Sequence, residues 1–275
     1  MKKEQIAINT VSLRGTFEEI LSASAEAGFR KVEFPLSQVK EHLARGKSVA
    51  DARALIERLG LRCIGGFDCG VVCFGPADKR AENHARVEAS ARMISGLGGS
   101  NMVVGTDGPQ DLSKTADVIG DIARVFAEVA ARVKPLGVTL CVEFNWSPVV
   151  KSMRTACEVA RRSGAANVGV IFDPAHYHCT PSKLDQINAE NVRFVRHVHV
   201  NDMRDKPGEL SNCNSDRVLP GDGCLDVKGL IKALEKHGYK GDFAIELFNE
   251  ELWATPPAKA AKLMYERMAA LCGGR

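Results

Sequence analysis

The chain has 275 residues, of which 45% are hydrophobic and 26% are charged, and its formal net charge is +3. These values are ordinary for a globular protein, and the scattered lysines and arginines give no support to nucleic-acid binding. No apolar run approaches the ~20 residues that a membrane helix needs, and the first ten residues do not resemble a signal peptide. We therefore expect a cytoplasmic protein with neither nucleic acid nor membrane as a partner.

Eight short runs have the length and apolar character of β-strands, and they alternate with segments of helical character. The predicted strands are 6–9, 31–34, 62–67, 101–104, 139–144, 168–173, 195–200 and 243–248. This alternation is typical of repeated βα units and predicts an α/β fold, a closed (β/α)₈ TIM barrel in a single domain over 1–275. No GxGxxG follows the first strand, which disfavours an open dinucleotide-binding sheet.

The helical segments are recognised by apolar residues at helical spacing and by glycines where a helix should end. Two segments have clear apolar faces, 17–25 and 118–126, and three others are the runs 51–59, 155–162 and 225–237. Residues 202–224 form the longest irregular stretch, directly after the seventh strand. In a barrel this stretch lies on the catalytic rim, so we interpret it as a lid or substrate loop.

The nine cysteines are an odd number in a long chain without a signal peptide, which favours reduced thiols over disulfides. Cys69 and Cys73 are four residues apart and could form a metal or redox pair. No second pair stands at zinc spacing, so we favour buried thiols at both positions.

Four of the predicted strands end in a charged or imidazole side chain. Such residues are costly to bury in an apolar strand unless they are paired or bound to a metal, and a parallel barrel gathers successive strand ends at one rim. Three carboxylates and one imidazole suit one divalent ion such as Mn²⁺, with Mg²⁺, Co²⁺ or Zn²⁺ as alternatives. The predicted metal ligands are Glu143, Asp173, His199 and Glu246.

Glu143 and Glu246 are also the candidate catalytic residues. Two carboxylates on opposite sides of a bound hydroxy-ketone can remove a proton from one carbon and return it to the next, while a metal stabilises the enediolate that develops. The alternative for either residue alone is an ion pair with an arginine at the barrel mouth.

Several neighbouring residues are candidates for substrate contact. His176 follows the sixth strand, Arg217 stands before a rigid turn with Asp216 beside it, and Trp146 follows the fifth strand. Asp202 could bind substrate or orient His199, or it could simply cap a loop. For His178, His197 and Trp253, structural roles are at least as plausible as functional ones.

The sequence resembles the xylose-isomerase-like, sugar phosphate isomerase/epimerase superfamily of TIM barrels over essentially its full length. The segments 142–144 (VEF), 172–178 (FDPAHYH), 216–223 (DRVLPGDG) and 246–248 (ELF) are especially similar to 2-keto-myo-inositol (inosose) isomerases. The resemblance implies metal ligation by the four residues above, acid–base roles for Glu143 and Glu246, and substrate contacts from His176 and Arg217.

These observations together predict a divalent-metal-dependent isomerase or epimerase of a small polyhydroxylated ketone, with inosose as the first candidate and inositol catabolism as the setting. A dehydratase or lyase that eliminates from the same enolate is the main alternative. An endonuclease-type hydrolase is disfavoured because the early strands lack the additional histidine ligands, and a non-catalytic scaffold is disfavoured by the intact ligand set. The expected partner is a small sugar or cyclitol, and the sequence leaves a homo-oligomer open.

Overall fold

The computed structural model describes residues 1–273 as a closed barrel of eight parallel strands surrounded by helices. The barrel strands follow one another around the barrel in chain order, and the last pairs with the first through Ile6 opposite Phe243. They are β1 Ile6–Asn9, β2 Lys31–Pro35, β3 Arg62–Phe67, β4 Asn101–Val104, β5 Thr139–Val142, β6 Val168–Phe172, β7 Val195–Val200 and β10 Phe243–Ile245. The prediction of a single (β/α)₈ barrel is confirmed.

Helices connect the strands on the outside of the barrel. They are α1 Phe17–Ala27, α2 Leu36–Ala44, α3 Val49–Arg58, α4 Ala77–Gly96, α5 Val118–Val133, α6 Met153–Ser163, α7 Pro174–His178, α8 Ala189–Val192, α9 Val227–Lys236, α10 Glu250–Ala254 and α11 Pro257–Leu271. The first of them shows why the predicted boundaries hold: Thr16 and Glu19 form a capping box, and Gly28 ends the helix at a φ of 111° that favours glycine. Within residues 1–273 no helix combines the length and the apolar character that crossing a membrane requires.

The strands alternate their side chains between the helices and the barrel interior. On β1, Ile6 and Ile8 belong to the main apolar core, whereas Ala7 packs with Ala244 and Ile64 in a small separate cluster. The next inward position, Asn9, is polar and fully buried. Polar groups therefore replace apolar ones inside the barrel towards the carboxyl ends of the strands.

The close approach of β3 and β4 explains why position 65 on β3 is a glycine. A Cβ atom added to Gly65 would lie 2.3 Å from the carbonyl oxygen of Asn101 on β4. No side chain fits at that position without moving one of the strands, so the glycine permits the β3–β4 pairing.

The stretch 202–224 is more ordered than the predicted irregular lid. Its two ends pair as an antiparallel ribbon of β8, Asp202–Met203, and β9, Arg217–Val218, with a 3₁₀ turn at Gly208–Leu210 between them. The ribbon is built at the rim, beside the end of β7, and both Asp202 and Arg217 are fully buried. We therefore correct the expectation that the whole stretch is irregular: its two ends are paired and are part of the folded rim.

Candidate metal and active site

A cavity of about 450 Å³ opens at the carboxyl ends of the barrel strands. Glu143, His199, Arg217, Glu246 and Trp146 line it. The strands end slightly earlier than predicted, so that Glu143, Asp173 and Glu246 each follow the last residue of a strand. Backbone pairing still fixes these positions, because the amide of Glu246 donates to the carbonyl of Val200 at 3.1 Å.

Three of the four predicted metal ligands converge on one another. Asp173, His199 and Glu246 are buried, and each offers a ligand atom within 4.8 Å of the other two. His199 Nδ1 lies 3.0 Å from Glu246 Oε2 and 3.4 Å from Asp173 Oδ2. Among the described residues neither His199 Nδ1 nor Asp173 Oδ2 forms a hydrogen bond of good geometry, although Arg217 Nη1 lies 3.1 Å from Asp173 Oδ2 as an ion pair. Because buried polar atoms without partners are costly, this group fits a divalent cation, which could bind both atoms.

Glu143 is outside that close group and pairs with His176 instead. Its Oε1 lies 3.1 Å from His176 Nε2, and its side chain keeps 15% of its surface exposed to the cavity. The other ring nitrogen of His176 lies 3.2 Å from Nδ2 of Asn145, a residue with a φ of 83° that is unusual for a residue other than glycine. The sequence did not indicate Asn145 as a site residue.

The charge state of His176 follows from these neighbours. Burial alone would lower its pKa, but the charge of Asp173 and contacts with Cys213 and Glu143 raise the pKa of His176 to about 10. The pKa of Asp173 is shifted in the opposite direction, again by neighbouring charges that outweigh burial. Burial favours its neutral form, yet the charges of Arg217 and His176 hold the pKa of this carboxyl well below its usual value. Both shifts favour the charged forms, a protonated imidazole at His176 and an ionised carboxylate at Asp173.

Hydrogen bonds to Oδ1 fix which oxygen of Asp173 faces His199 and Glu246. Oδ1 accepts hydrogen bonds from the amides of Ala175 and His176 at 2.7 and 3.3 Å and from Nδ2 of Asn201 at 3.1 Å. Asp173 is thus the N-cap of α7. Since Oδ1 is fully used, Oδ2 is left for the ligand group.

Glu246 is held between the first strand and an arginine. Oε1 accepts from Asn9 Nδ2 at 2.8 Å, and Oε2 lies 2.7 Å from Arg217 Nη1. Asn9 is the inward-facing residue at the end of β1 and was not recognised from the sequence, because an asparagine after an apolar strand is also an ordinary turn residue.

Arg217 is fully buried in this network rather than poised on an open loop. Nη1 lies 3.1 Å from Asp173 Oδ2, and Nε donates to the carbonyl of Cys213 at 2.6 Å. Asp216 does not pair with this arginine, because its carboxylate accepts from Lys206 Nζ at 2.8 Å. Arg217 and Asp216 are both buried, but their side chains meet different partners.

Glu33 on β2 is a buried carboxylate that the sequence analysis did not include in the site. Its Oε2 lies 2.9 Å from both His197 Nε2 and His199 Nε2. Burial alone would lower the pKa of His199, but the charges of Glu246 and Glu33 raise it well above its usual value. The available signal was a single glutamate in an apolar strand, the same signal that identified Glu143 and Glu246.

Of the remaining candidate residues, Trp146 lies at the cavity, whereas Trp253 and His178 have structural contacts. Trp146 is half exposed and lies at the cavity, with its ring centroid 6.3 Å from that of His176. Trp253 donates to the carbonyl of Val11 at 3.0 Å, and His178 Nε2 lies 2.9 Å from the carbonyl of Lys206. The latter two contacts are structural. All nine cysteines, Cys69 and Cys73 included, are free thiols.

Asp202 is a loop cap, which corrects the expectation that it contacts substrate. Its Oδ1 accepts from the amides of Met203 and Leu225 at 2.8 and 2.9 Å, and its Oδ2 accepts from those of Gly221 and Gly223 at 3.0 and 3.1 Å. With both oxygens engaged by backbone amides, the carboxylate is used to fold the rim segment.

Asp202→Asn should therefore destabilise the protein. The amide nitrogen of the new side chain would face the N–H groups of Gly221 and Gly223, so that hydrogen bonds to a charged acceptor, each worth about 1.5–3 kcal/mol, would be lost. Urea unfolding of the variant, compared with the exposed control Asp205→Asn, measures the loss. Equal stability of the two variants would contradict the capping role.

Comparison with known proteins places this site in a family. The family described as xylose isomerase-like TIM barrel matches residues 21–270. The inosose isomerase of Bacillus velezensis is 28% identical over 152 residues, 54% of this chain and 54% of that protein. The 3-dehydroshikimate dehydratase of Pseudomonas aeruginosa is 28% identical over 268 residues, 92% of this chain and 39% of that protein. The chain thus aligns with only about half of the first relative and less of the second.

Solved structures agree on the fold. A crystal structure of IolI protein with a bound zinc atom has a TM-score of 0.85 at 19% identity, over 97% of this chain and 97% of that chain. D-psicose 3-epimerase from Clostridium cellulolyticum H10, solved with D-tagatose, has a TM-score of 0.73 at 17% identity, over 97% and 98%. Since the family match extends from α1 into α11, the chain belongs to the xylose isomerase-like TIM-barrel family.

Proposed function

We propose that this protein is a divalent-metal-dependent isomerase or epimerase of a small, uncharged polyhydroxylated ketone, with an inosose as the first substrate to test. The observation that carries the proposal is the convergence of Asp173, His199 and Glu246 beside a cavity that also contains Glu143. The similarity to inosose isomerases supports the same substrate class. Mn²⁺ is the ion we propose, because the ligand set is rich in oxygen.

The metal would be held by Asp173, His199 and Glu246, with Glu143 as a further ligand from the neighbouring strand end. When bound, a divalent cation polarises a ketone oxygen and acidifies the adjacent C–H bond. We assign removal of that proton to the partly exposed Glu143 and its return on the neighbouring carbon to Glu246. His176, a cation in contact with Glu143, can donate a hydrogen bond to a substrate oxygen, and Arg217 keeps Glu246 oriented.

The charge of the cavity argues for an uncharged substrate. Arg217 is the only lysine or arginine among the described residues that line it, and this guanidinium is already paired with two carboxylates. Glu143 and Glu246 add negative charge to the lining, whereas Asp68, which also lines it, is paired with Lys40 and Arg86. A substrate phosphate or carboxylate would find no unengaged basic side chain there, whereas hydroxyl groups can pair with carboxylates.

Dehydration is the second candidate, favoured by the similarity to 3-dehydroshikimate dehydratase over 92% of this chain and to the inosose dehydratase of Serratia proteamaculans over 51%. Elimination needs the same first proton removal, followed by loss of a β-hydroxyl in place of proton return. Because no unengaged lysine or arginine lines the cavity among the described residues, we propose a neutral inosose as a better dehydration substrate than the carboxylate of dehydroshikimate.

The test is incubation of the Mn²⁺-loaded protein with a panel of inososes, ketohexoses and dehydroshikimate in D₂O. The product would be followed by NMR after removal of the metal. An isomerase or epimerase should incorporate deuterium at the carbon next to the ketone and yield a product of unchanged mass apart from deuterium. A dehydratase should yield a conjugated enone that absorbs in the ultraviolet. If no compound of the panel incorporates deuterium, the proposed enolisation of these ketones is contradicted.

A further inference from the structure

Glu33 is a buried carboxylate that the proposed mechanism does not use. It lies on β2 inside the barrel and is fully buried. One of its oxygens, Oε2, lies 2.9 Å from Nε2 of both His197 and His199. A carboxylate in this environment only accepts hydrogen bonds, so each of the two Nε2 atoms carries a proton.

The proton on Nε2 of His199 determines whether Nδ1, the other ring nitrogen, has a lone pair for a metal ion. In the neutral imidazole only one nitrogen is protonated, so a proton on Nε2 leaves a lone pair on Nδ1. Nδ1 is the atom that lies 3.0 Å from Glu246 Oε2 and 3.4 Å from Asp173 Oδ2. The contact with Glu33 thus determines which nitrogen faces the ligand group.

We propose that Glu33 is a positioning residue that fixes the tautomer and ring orientation of His199, making Nδ1 the metal ligand. This inference rests on the metal centre of the proposed function. Carboxylates that accept from the second nitrogen of a metal-binding histidine also raise its basicity as a ligand. Loss of such a partner therefore weakens metal binding without removing any ligand atom.

A separate metal site at Glu33, His197 and His199 is the competing interpretation, since these three also offer ligand atoms close to one another. The contacts favour hydrogen bonding. Both Nε2 atoms lie at hydrogen-bond distance from one and the same oxygen, and a metal there would require both to lose their protons. His199 would in addition lose the tautomer that serves the ligand group.

His197 provides a matched control within the same buried cluster. Its ring lies 5.1 Å from that of His199, centroid to centroid, and donates to Glu33, but it forms no hydrogen bond or ion pair with Asp173 or Glu246 among the described residues. His197→Gln retains a donor at the position of Nε2. This variant disturbs the interior of the barrel while leaving the bond between Glu33 and His199 in place.

The first experiment measures Mn²⁺ affinity of the metal-stripped protein by calorimetric titration. Glu33→Met, similar in length but without an acceptor, should bind Mn²⁺ about 10–100-fold more weakly than the parent. Glu33→Gln, which keeps an amide oxygen as acceptor, should lose less Mn²⁺ affinity. His197→Gln should bind Mn²⁺ with nearly the affinity of the parent. Thermal unfolding verifies that each variant is folded. If Glu33→Met does not fold, the affinity of Glu33→Gln for Mn²⁺ is compared with that of His197→Gln, and the positioning role predicts weaker binding by Glu33→Gln.

The second experiment examines the imidazole of His199 directly. In Zn²⁺-loaded protein labelled with ¹⁵N-histidine, NMR should show Nε2 protonated and Nδ1 bound to the metal. The positioning role is overturned if Nε2 is the ligand, or if Glu33→Met binds Mn²⁺ as tightly as His197→Gln. Failure of the parent to bind either ion would instead overturn the metal centre itself, so the two failures are distinguishable.

Discussion

Glu143→Gln and Glu246→Gln should each reduce turnover by about 10²–10⁴-fold, because each removes a group to which we assign a proton transfer. Glutamine has nearly the same shape, so the contact of residue 246 with Asn9 can persist and the fold should be retained. At saturating Mn²⁺, with the bound ion verified by elemental analysis, the loss should appear mainly in kcat rather than in KM, since substrate binding does not require the proton acceptor.

The two variants should differ in partial reactions. Glu143→Gln should lose exchange of substrate hydrogen with solvent, since it lacks the group proposed to remove the proton. Glu246→Gln should retain some exchange while failing to complete the reaction. The exposed Glu251→Gln on α10 serves as the control and should match the parent. Near-normal turnover in both site variants would exclude a mechanism with two carboxylates.

Asp173→Asn should abolish metal retention while preserving the helix that begins there. Asparagine is as good an N-cap as aspartate, so its Oδ1 can still accept from the amides of Ala175 and His176. The nitrogen that replaces Oδ2 has no lone pair to offer a cation. Loss of a residue that only supports a ligand lowers metal affinity by up to about 100-fold. We expect the affinity of Asp173→Asn for Mn²⁺ to fall by more than this.

Elemental analysis after dialysis and titration of the apoprotein would measure this loss. The exposed Asp185→Asn is the matched control, with the same chemical change outside the lining of the cavity. Retention of stoichiometric Mn²⁺ by Asp173→Asn would show that Asp173 is not a ligand. Unfolding of the variant at the same temperature as the control would confirm that the metal, and not the fold, was lost.

The parts of the site that could be predicted from the sequence are those that follow from strand periodicity. Polar residues at the ends of apolar strands indicated Glu143, Asp173, His199 and Glu246, and a parallel barrel brings such ends together. The fold itself was predictable for the same reason, since each βα unit has its own local pattern of apolar residues and glycine stops.

The parts that could not be predicted depend on contacts between residues distant in sequence. Glu33 meets His199 across 166 residues, and nothing in the local sequence of either residue indicates the partner. The order of the segment 202–224 depends on Asp202, whose acceptors serve amides up to 23 residues away. A long polar stretch therefore suggested an open lid, whereas backbone hydrogen bonds fold its two ends into the rim.

The hydrogen bond between Asn9 and Glu246 joins residues 237 positions apart, across the seam where β1 meets β10. One proposed acid–base residue is therefore oriented by the first strand of the chain, and this orientation exists only after the barrel has closed. A nascent chain that ends before β10, or a fragment that lacks β1, cannot form this arrangement. The acid–base role that we propose for Glu246 therefore requires the whole closed ring, including the strand that is synthesised first.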